Sequence, residues 1–408
     1  MSSQPRIAIV GGGPAGLTLG VLLHKHGLQF TIFELRQKFT EDELAKPSGM
    51  LDLREESGLA AIKECGLYED FIPVTGECSE DFIVAERNGK ILFAVTGDRS
   101  RPEISRNNLT RLLLGQIPEE SIRWEHRLRV ATRLSTTGGI ETELDFGSHG
   151  KHTFDLVIGA DGAWSKVRPL LTDARPVYSG TLNITMTIKN ISDRYPHLVN
   201  LVGSGSFSSL GNKHVVISQR GPIDSARIYL WLTHRDEHFP INSGLADKPA
   251  ASATHMLLID DKLLGTFGAA IKDLVATACA EESMDNPNAN LDIRALYTLP
   301  HGSSWEHKSG VTLVGDAAHL MLPNGEGVNL AMLDSLLLSN AIFEAYDKAK
   351  TSSVSFQSVF DVLLRGFEDG LVQRAREAGN DTDIMVGKMF GTEDAAHEFS
   401  SFLQGMGQ

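Results

Sequence analysis

Short apolar runs alternate with amphipathic stretches through much of the chain. Arg6–Val10 (RIAIV) is apolar without alternation, as a strand covered on both faces must be. Leu17, Val21, Leu22 and Leu23 then give a helix an apolar side, Gly27 ends it, and Phe30–Phe33 is a second strand. A polar surface loop, Arg36 to Lys46, leads to Ser48–Leu53 and a helix from Glu56 to Cys65. Asp81–Arg87 and Ile91–Val95 flank Asn88-Gly89, a two-residue hairpin signal. Asn107 or Asn108 caps a helix carrying Leu109, Leu112 and Leu113. Ile122–Trp124 and Leu128–Val130 are short strands, and Glu141–Phe146 with His152–Phe154 form a hairpin. Leu156–Ile158 and Val311–Val314 are again buried parallel strands.

From Gly180 to about Thr233 the pattern changes to alternation, which predicts an antiparallel sheet with one open face suited to a substrate. A helical region from Ser252 to Cys279 and a strand at Arg294–Leu299 follow. A helix starts near Asn329, with Leu330, Leu333, Leu336 and Leu337 in period. Phe356, Val359, Phe360, Leu363, Leu364 and Phe367 form the stripe of a last amphipathic helix. Such a stripe serves as a strut inside its own molecule or as a partner-binding face; the strut is the ordinary use.

The turn after the first strand carries the chemistry. Gly11, Gly13 and Gly16 stand at the G-x-G-x-x-G spacing between strand and helix. The first makes the tight turn, the second lets backbone approach a pyrophosphate, and the third lets the helix pack close. The helix start offers unpaired N–H groups to that diphosphate. Glu34 ends the second strand about 20 residues on, where a carboxylate accepts from ribose hydroxyls. Two more buried strands end in Gly-Asp or Asp-Gly turns, at Gly159–Gly162 and Gly315-Asp316. An Asp there binds ribitol or ribose hydroxyls, or holds its own turn. Beside a dinucleotide fingerprint, Asp161 and Asp316 are read as cofactor ligands.

The chain has 408 residues, 41% hydrophobic, with a net charge of −14. That suits a globular enzyme of two or so domains and argues against a nucleic-acid partner, which Lys and Arg would have to meet. No uninterrupted apolar run of about 18 residues marks a membrane span. The strand beginning at Arg6 leaves no room for a secretory signal. Cys65, Cys78 and Cys279 are three, widely spaced, and make no metal motif, so free thiols and a cytoplasmic location are expected, with no metal site.

GGGPAG with Glu34, GADGAWSKVR and GDAAHLMLPNGEGVN together resemble the class A FAD-dependent monooxygenases of the aromatic-hydroxylase type. SGMLDL, PEISRNNL, DLVIGADGAWSKVR and GDAAHLMLP are similar to the tetracycline-inactivating monooxygenases (tetracycline destructases) within it. The resemblance implies an α/β fold in which a doubly wound, Rossmann-like FAD domain of the GR2 type (1–75, 101–178, 291–345) is interleaved with a mostly antiparallel substrate domain (76–100, 179–290), bridged by a C-terminal helical region (346–408). It places Gly11, Gly13 and Gly16 on the FAD diphosphate and Glu34 on the adenosine ribose, with Pro14, Ala15, Leu35, Arg36 and Leu128 also among the cofactor-binding residues. Arg106, Asp161, Gly162, Gly315 and Asp316 fall along the cofactor, with Pro323, Gly325, Gly327, Val328 and Asn329 beside the isoalloxazine and Asp52 near it, a helix-entry cap being the alternative for Asp52. The substrate pocket is expected at Thr185, Met186, His214 and Met321, with core filling the equal alternative for the two methionines and a surface or core position the alternative for His214.

The implied chemistry is hydride transfer from NAD(P)H to FAD, then O2 capture as a flavin C4a-hydroperoxide that hydroxylates a polycyclic or aromatic, polyketide-like compound, tetracycline-type compounds included. The flavin mediates it, so no side chain is assigned as catalytic. A reductase or dehydrogenase of the same fold, and a non-catalytic binding protein of the dissociation-inhibitor kind, are the alternatives. The chain departs from the family at Glu326, where Gln is usual, in a loop from Pro323 to Gly327 one residue shorter, and at Ala45, where an arginine contacts FAD. Glu326 is expected to point away from the ring. His319, in the third motif, is read as a packed, hydrogen-bonded side chain in preference to a general base, and His234 as a surface or core residue.

Overall fold

The computed structural model describes residues 4–98, 100–136, 139–284, 286–352 and 354–406. Five parallel strands form one sheet in the order Val311–Leu313, Leu156–Gly159, Ile7–Val10, Phe30–Phe33, Ile122–Arg123. Ile7 to Val10 are all at most 2% exposed, because helices cover both faces of this sheet. The register is level: Val10 pairs with Phe33 and Gly159, and Gly159 with Leu313. The turns after these four strands therefore share one rim, as open α/β sheets arrange their ligand crevice.

The second sheet has seven strands in the order Asp292–Thr298, Val177–Ile188, Ser225–Thr233, His214–Gly221, Ser206–Gly211, Phe82–Glu86, Ile91–Val95. It is antiparallel except where Ser206–Gly211 meets Phe82–Glu86. Alternation sorts its residues. Leu182, Ile184, Met186, Ile188, Ile228, Leu230 and Leu232 turn to one face and pack with Leu257, Leu274 and Val275 of the helices Ala250–Ile259 and Ala269–Glu282. On the other face Val215 and Trp231 meet Met389 and Phe399 from the C-terminal helices.

The helix Phe356–Phe390 spans 35 residues, about 52 Å of axis at helical rise. Phe356, Phe360, Leu364, Phe367 and Leu371 lie in the core of the parallel sheet, while Met385, Met389 and Phe390 pack on the antiparallel sheet. It is the strut that its stripe predicts. The helix Glu326–Thr351 is, among the described residues, the one long and apolar enough to cross a membrane by length and composition. Over half of its apolar window is buried inside the protein, against the helices Pro14–Lys25 and Phe356–Phe390, so its hydrophobicity serves the core.

Several boundaries differ from expectation. The long helix begins at Glu326, three residues before Asn329, since Gly325 at φ +85° turns the chain into it. Ser105, not Asn107 or Asn108, caps the helix Arg106–Leu114 by accepting from Asn108 N–H at 3.2 Å. The Asn88-Gly89 hairpin closes through Gly89 N–H to Glu86 O, with only the glycine at positive φ, in place of the two-residue turn. Within the polar stretch after Glu34, Thr40 and Glu43 form a capping box around the short helix Glu41–Leu44.

Candidate cofactor and substrate site

The three glycine-acid turns meet at the rim. A Cβ on Gly11 would come to 2.1 Å from Ala160 O, and one on Gly315 to 3.4 Å from the Ala15 Cβ. The first motif thus touches the second and the third. Arg168, 3% exposed, ties the last two: its Nε donates to Ala317 O at 2.7 Å, and its Nη2 to Ala163 O at 2.9 Å and Asp316 O at 3.1 Å. The sequence reading assigned nothing to Arg168, although it stands inside the second motif.

Glu34 is 3% exposed and lies over the glycine turn. Its Oε2 accepts from Gly12 N–H at 2.7 Å, and its Oε1 from Arg36 Nε at 2.7 Å and Arg36 N–H at 2.9 Å. Burial pushes this carboxyl up, but the Arg36 bond and charge and the Gly12 N–H outweigh it and hold the group below its ordinary range. Leu35 and Arg36 line an open groove with Phe39 and Glu125. Leu128 is buried in the core, leaving only its backbone for a ligand.

Protein surrounds Asp316 closely enough for burial to push its carboxyl up, with His319, Arg106 and Arg168 as the opposing charges. Its side chain nevertheless remains accessible. The two facts together put it on the wall of a deep cleft. Asp161 Oδ2 accepts from Lys166 N–H at 2.6 Å, which is the turn-holding role, while Asp161 Oδ1 is buried without a partner. His319 Nε2 is bonded to Asp334 Oδ2 at 2.6 Å, and that oxygen also accepts from Gly315 N–H at 3.2 Å. Burial pushes the imidazole down and Asp334 more than offsets it, so His319 is a packed member of the motif turn.

The far end of the cleft is formed by Gly325–Asn329 and the ribbon of Met50–Asp52 with Glu103–Ser105. Asn329 is fully buried and spans both. Its Oδ1 accepts from Arg54 N–H, Ser57 Oγ and Gly58 N–H at 2.9, 3.2 and 3.2 Å, and its Nδ2 donates to Asp52 O and Gly325 O at 2.9 Å each. The side chain is spent on structure, leaving backbone at this loop for a ligand. Glu326 pairs with Arg54.

The residues fit FAD. Cβ atoms added at Gly13, Gly162 and Gly327 would meet nothing within 4 Å, so the cradle is open where a ligand would press on backbone. The helix start at Gly13 has no side-chain cap and keeps N–H groups free; at Gly325 the Glu326 N–H is taken by Asn324 Oδ1, which leaves those of Gly327 and Val328. With the unpartnered Asp161 Oδ1 and the accessible Asp316, the donors suit a diphosphate and the acceptors suit hydroxyls.

The chain matches the FAD binding domain family over residues 5–239 and 271–355. The monooxygenase penA of Penicillium thymicola is 36% identical to it, over 92% of this chain and 93% of that protein. The chain belongs to this family of FAD-dependent monooxygenases. Its cofactor is FAD, with NAD(P)H as the transient co-substrate usual in the family. In fold it is similar to Klebsiella pneumoniae HpxO complexed with FAD and uric acid, at a TM-score of 0.75 and 17% identity, over 100% of this chain and 93% of that one. It is similar also to the tetracycline destructase Tet(55), at 0.67 and 19%, over 99% and 96%.

The structure separates the four residues expected to form the substrate pocket. Thr185 lies on the sheet face turned to the ribbon, opposite Tyr229, whose hydroxyl would be 2.7 Å from a Cβ on Gly49. Met186 faces the other way, fully buried, its sulfur 3.5 Å from Cys279 Sγ. His214 is a fold residue on that same packed side: paired opposite Leu232, it accepts from Thr233 N–H at 3.1 Å and bonds Lys262 O at 2.9 Å. Met321 is buried with Leu330 and Ala378, its sulfur 3.9 Å from Thr382 Oγ1 of the last long helix. The sequence reading missed Tyr229, Asn183, Gln219 and Glu103. Gln219 Nε2 donates to Glu103 Oε2 at 3.2 Å, and Met50 N–H to Gln219 Oε1 at 3.3 Å. Burial, reinforced by Asp52 and Glu80, pushes the Glu103 carboxyl up to about 7. Glu103 stands three residues before Arg106 in PEISRNNL, a segment from which the sequence reading took only the arginine. The three cysteines are free and buried.

Proposed function

We propose that the enzyme hydroxylates an uncharged aromatic or polycyclic, polyketide-like compound on the open half of the antiparallel sheet. The carrying observation is the chemistry left unspent there. Asn183 Nδ2 donates to Thr185 Oγ1 at 3.1 Å, while Asn183 Oδ1 is buried without a partner. Thr185 keeps its hydroxyl proton, and the Tyr229 hydroxyl stands next to it across the strands. Neutral donors and acceptors are thus offered over a flat face closed at one end by Trp231 stacked on Phe390. Carboxylates already attend the cations nearby: Arg227, whose Nη1 donates to Thr187 Oγ1 at 2.7 Å and whose Nε is buried without a partner, has Glu282 near it, and Arg106 has Asp316. A ring carboxylate would have to compete with Glu282 and Asp316 for these cations. Tetracycline-type compounds belong to the same chemical class, and the SGMLDL and PEISRNNL segments favour them as members of the panel.

In this reading Gly11–Gly16 and the helix start at Pro14 hold the FAD diphosphate. Glu34 and Arg36 hold the adenosine ribose, and Arg106, Asp161 and Asp316 the remaining hydroxyls and phosphate. Gly325–Asn329 presents backbone N–H groups and a positive helix end to the ring edge. Bound FAD supplies hydride acceptance from NAD(P)H and activation of O2. The chain places the substrate ring by Asn183, Thr185 and Tyr229, and excludes water by the apolar packing of Trp231 and Phe390. The test is binding to the FAD-loaded enzyme, read from flavin absorbance, of hydroxyanthraquinones, tetracyclines and phenols against salicylate. Neutral polycyclic compounds should bind and be hydroxylated, with Asn183→Leu raising KM far more than it lowers kcat. Preferential binding and turnover of salicylate would refute the assignment.

A further inference from the structure

The glycine turn before the helix Glu326–Thr351 is followed at once by a carboxylate. Glu326 is bonded to Arg54, and Arg54 Nε lies 3.8 Å from Asp52 Oδ2. Asp52 borders the same turn: a Cβ on Gly325 would come to 3.1 Å from Asp52 Oδ1. One guanidinium therefore serves two carboxylates, all three half-buried. The arrangement is built from the backbone outwards. Asn329 Oδ1 holds Arg54 N–H at 2.9 Å, and Asn324 Oδ1 holds Glu326 N–H at 2.8 Å. Asn324 takes only that first N–H, so the rest of the helix's positive end is open to a ligand. Without Arg54, two uncompensated anions would stand at this end and oppose any negative charge brought to it.

We propose that Arg54 sets the redox balance of the flavin site: paired with Glu326 and Asp52, it offsets one of the negative charges that these two and the nearby Glu56 bring to the ring's side, so the helix end can accept the charge gained on reduction. This rests on the placement of the FAD ring at Gly325–Asn329. Glu326, a second carboxylate beside Asp52, makes Arg54 necessary.

The experiment measures the midpoint potential of bound FAD by dye equilibration, and its dissociation constant, for the wild-type enzyme, Glu326→Gln, Arg54→Met and the double variant. Glu326→Gln leaves the guanidinium with one partner fewer and should favour reduction at least ten-fold, which is about +30 mV for a two-electron couple. Arg54→Met should disfavour it by at least as much, and the double variant should fall between. If Arg54→Met does not fold, the sign of the Glu326→Gln shift decides. Stoichiometric FAD with potentials unchanged, or a Glu326→Gln shift in the opposite direction, overturns this inference and leaves the cofactor site standing. A wild-type protein that binds no FAD overturns the cofactor placement, and this inference with it.

Discussion

Replacing Asn329 with alanine should loosen the wall of the ring site more than any other single truncation there. The side chain makes five hydrogen bonds and has no exposed surface. The bonds to Ser57 and Gly58 are wholly buried, and those to Arg54, Asp52 and Gly325 are partly so. A buried donor or acceptor left unpaired costs about 1–3 kcal/mol, while a half-buried one regains a water. Counting the buried partners fully and the others lightly gives a loss of about 3 kcal/mol, a large share of a domain's typical 5–15 kcal/mol. Asn329→Asp should not rescue it. That change keeps the acceptor but turns an oxygen toward Asp52 O and Gly325 O, each 2.9 Å from the present nitrogen. Gly58→Ala should resemble it, because the new Cβ would come to 2.6 Å from Asn329 Oδ1. Urea unfolding of the FAD-free proteins gives the stability change, and a fluorescence titration gives FAD affinity. A loss below about 0.5 kcal/mol, the range of ordinary surface changes, with FAD affinity unaltered, would refute the reasoning.

Gly13→Ala should fold normally, because its Cβ meets no protein atom within 4 Å, yet lose FAD affinity at least ten-fold by filling the diphosphate cradle; circular dichroism and an FAD titration check the two halves. Gly16→Ala should fail to fold, its Cβ falling 2.0 Å from Gly11 O, as soluble yield would show. Glu103 has a raised carboxyl, so the folded state holds its proton longer than the unfolded one, and stability should fall as pH rises from about 4.5 to about 7. Glu103→Gln should remove that slope and stabilise the protein at pH 8 by roughly 3 kcal/mol at most, read from denaturation midpoints across pH. Glu34 has a lowered carboxyl: its contribution is present above the unfolded value and lost as pH falls through the folded one. Glu34→Gln should therefore flatten the acid limb of the same curve.

The cofactor half of the molecule was legible because each of its pieces is local. Strand, glycine turn, helix and acid follow one another within residues 6–34, and two further strand-turn pieces repeat the logic. Their convergence follows from parallel pairing in register, which buried apolar strands favour. The substrate half was less legible. Alternation tells which strand residues share a face, but not which face meets the cofactor. Thr185 and Met186, as neighbours on a strand, could not both line the pocket; Met186 belongs with Leu182 and Ile184 behind the sheet. His214 took its role from Thr233 and Lys262, and Gln219 meets Glu103 across 116 residues, contacts that no local pattern encodes. Glu326 turned out to be held by Arg54, 272 residues away, an ion pair the departure from Gln did not reveal.

The central claim is that this chain loads FAD and uses it to insert oxygen into a neutral polycyclic compound. Its most direct test is a turnover of the FAD-loaded enzyme with NADPH or NADH under 18O2, with a hydroxyanthraquinone as substrate and mass spectrometry of the product. The account predicts flavin bleaching by the nicotinamide, faster with the compound present, and a product heavier by one 18O atom. Flavin that is reduced and reoxidised with no labelled product from any member of the panel would contradict it.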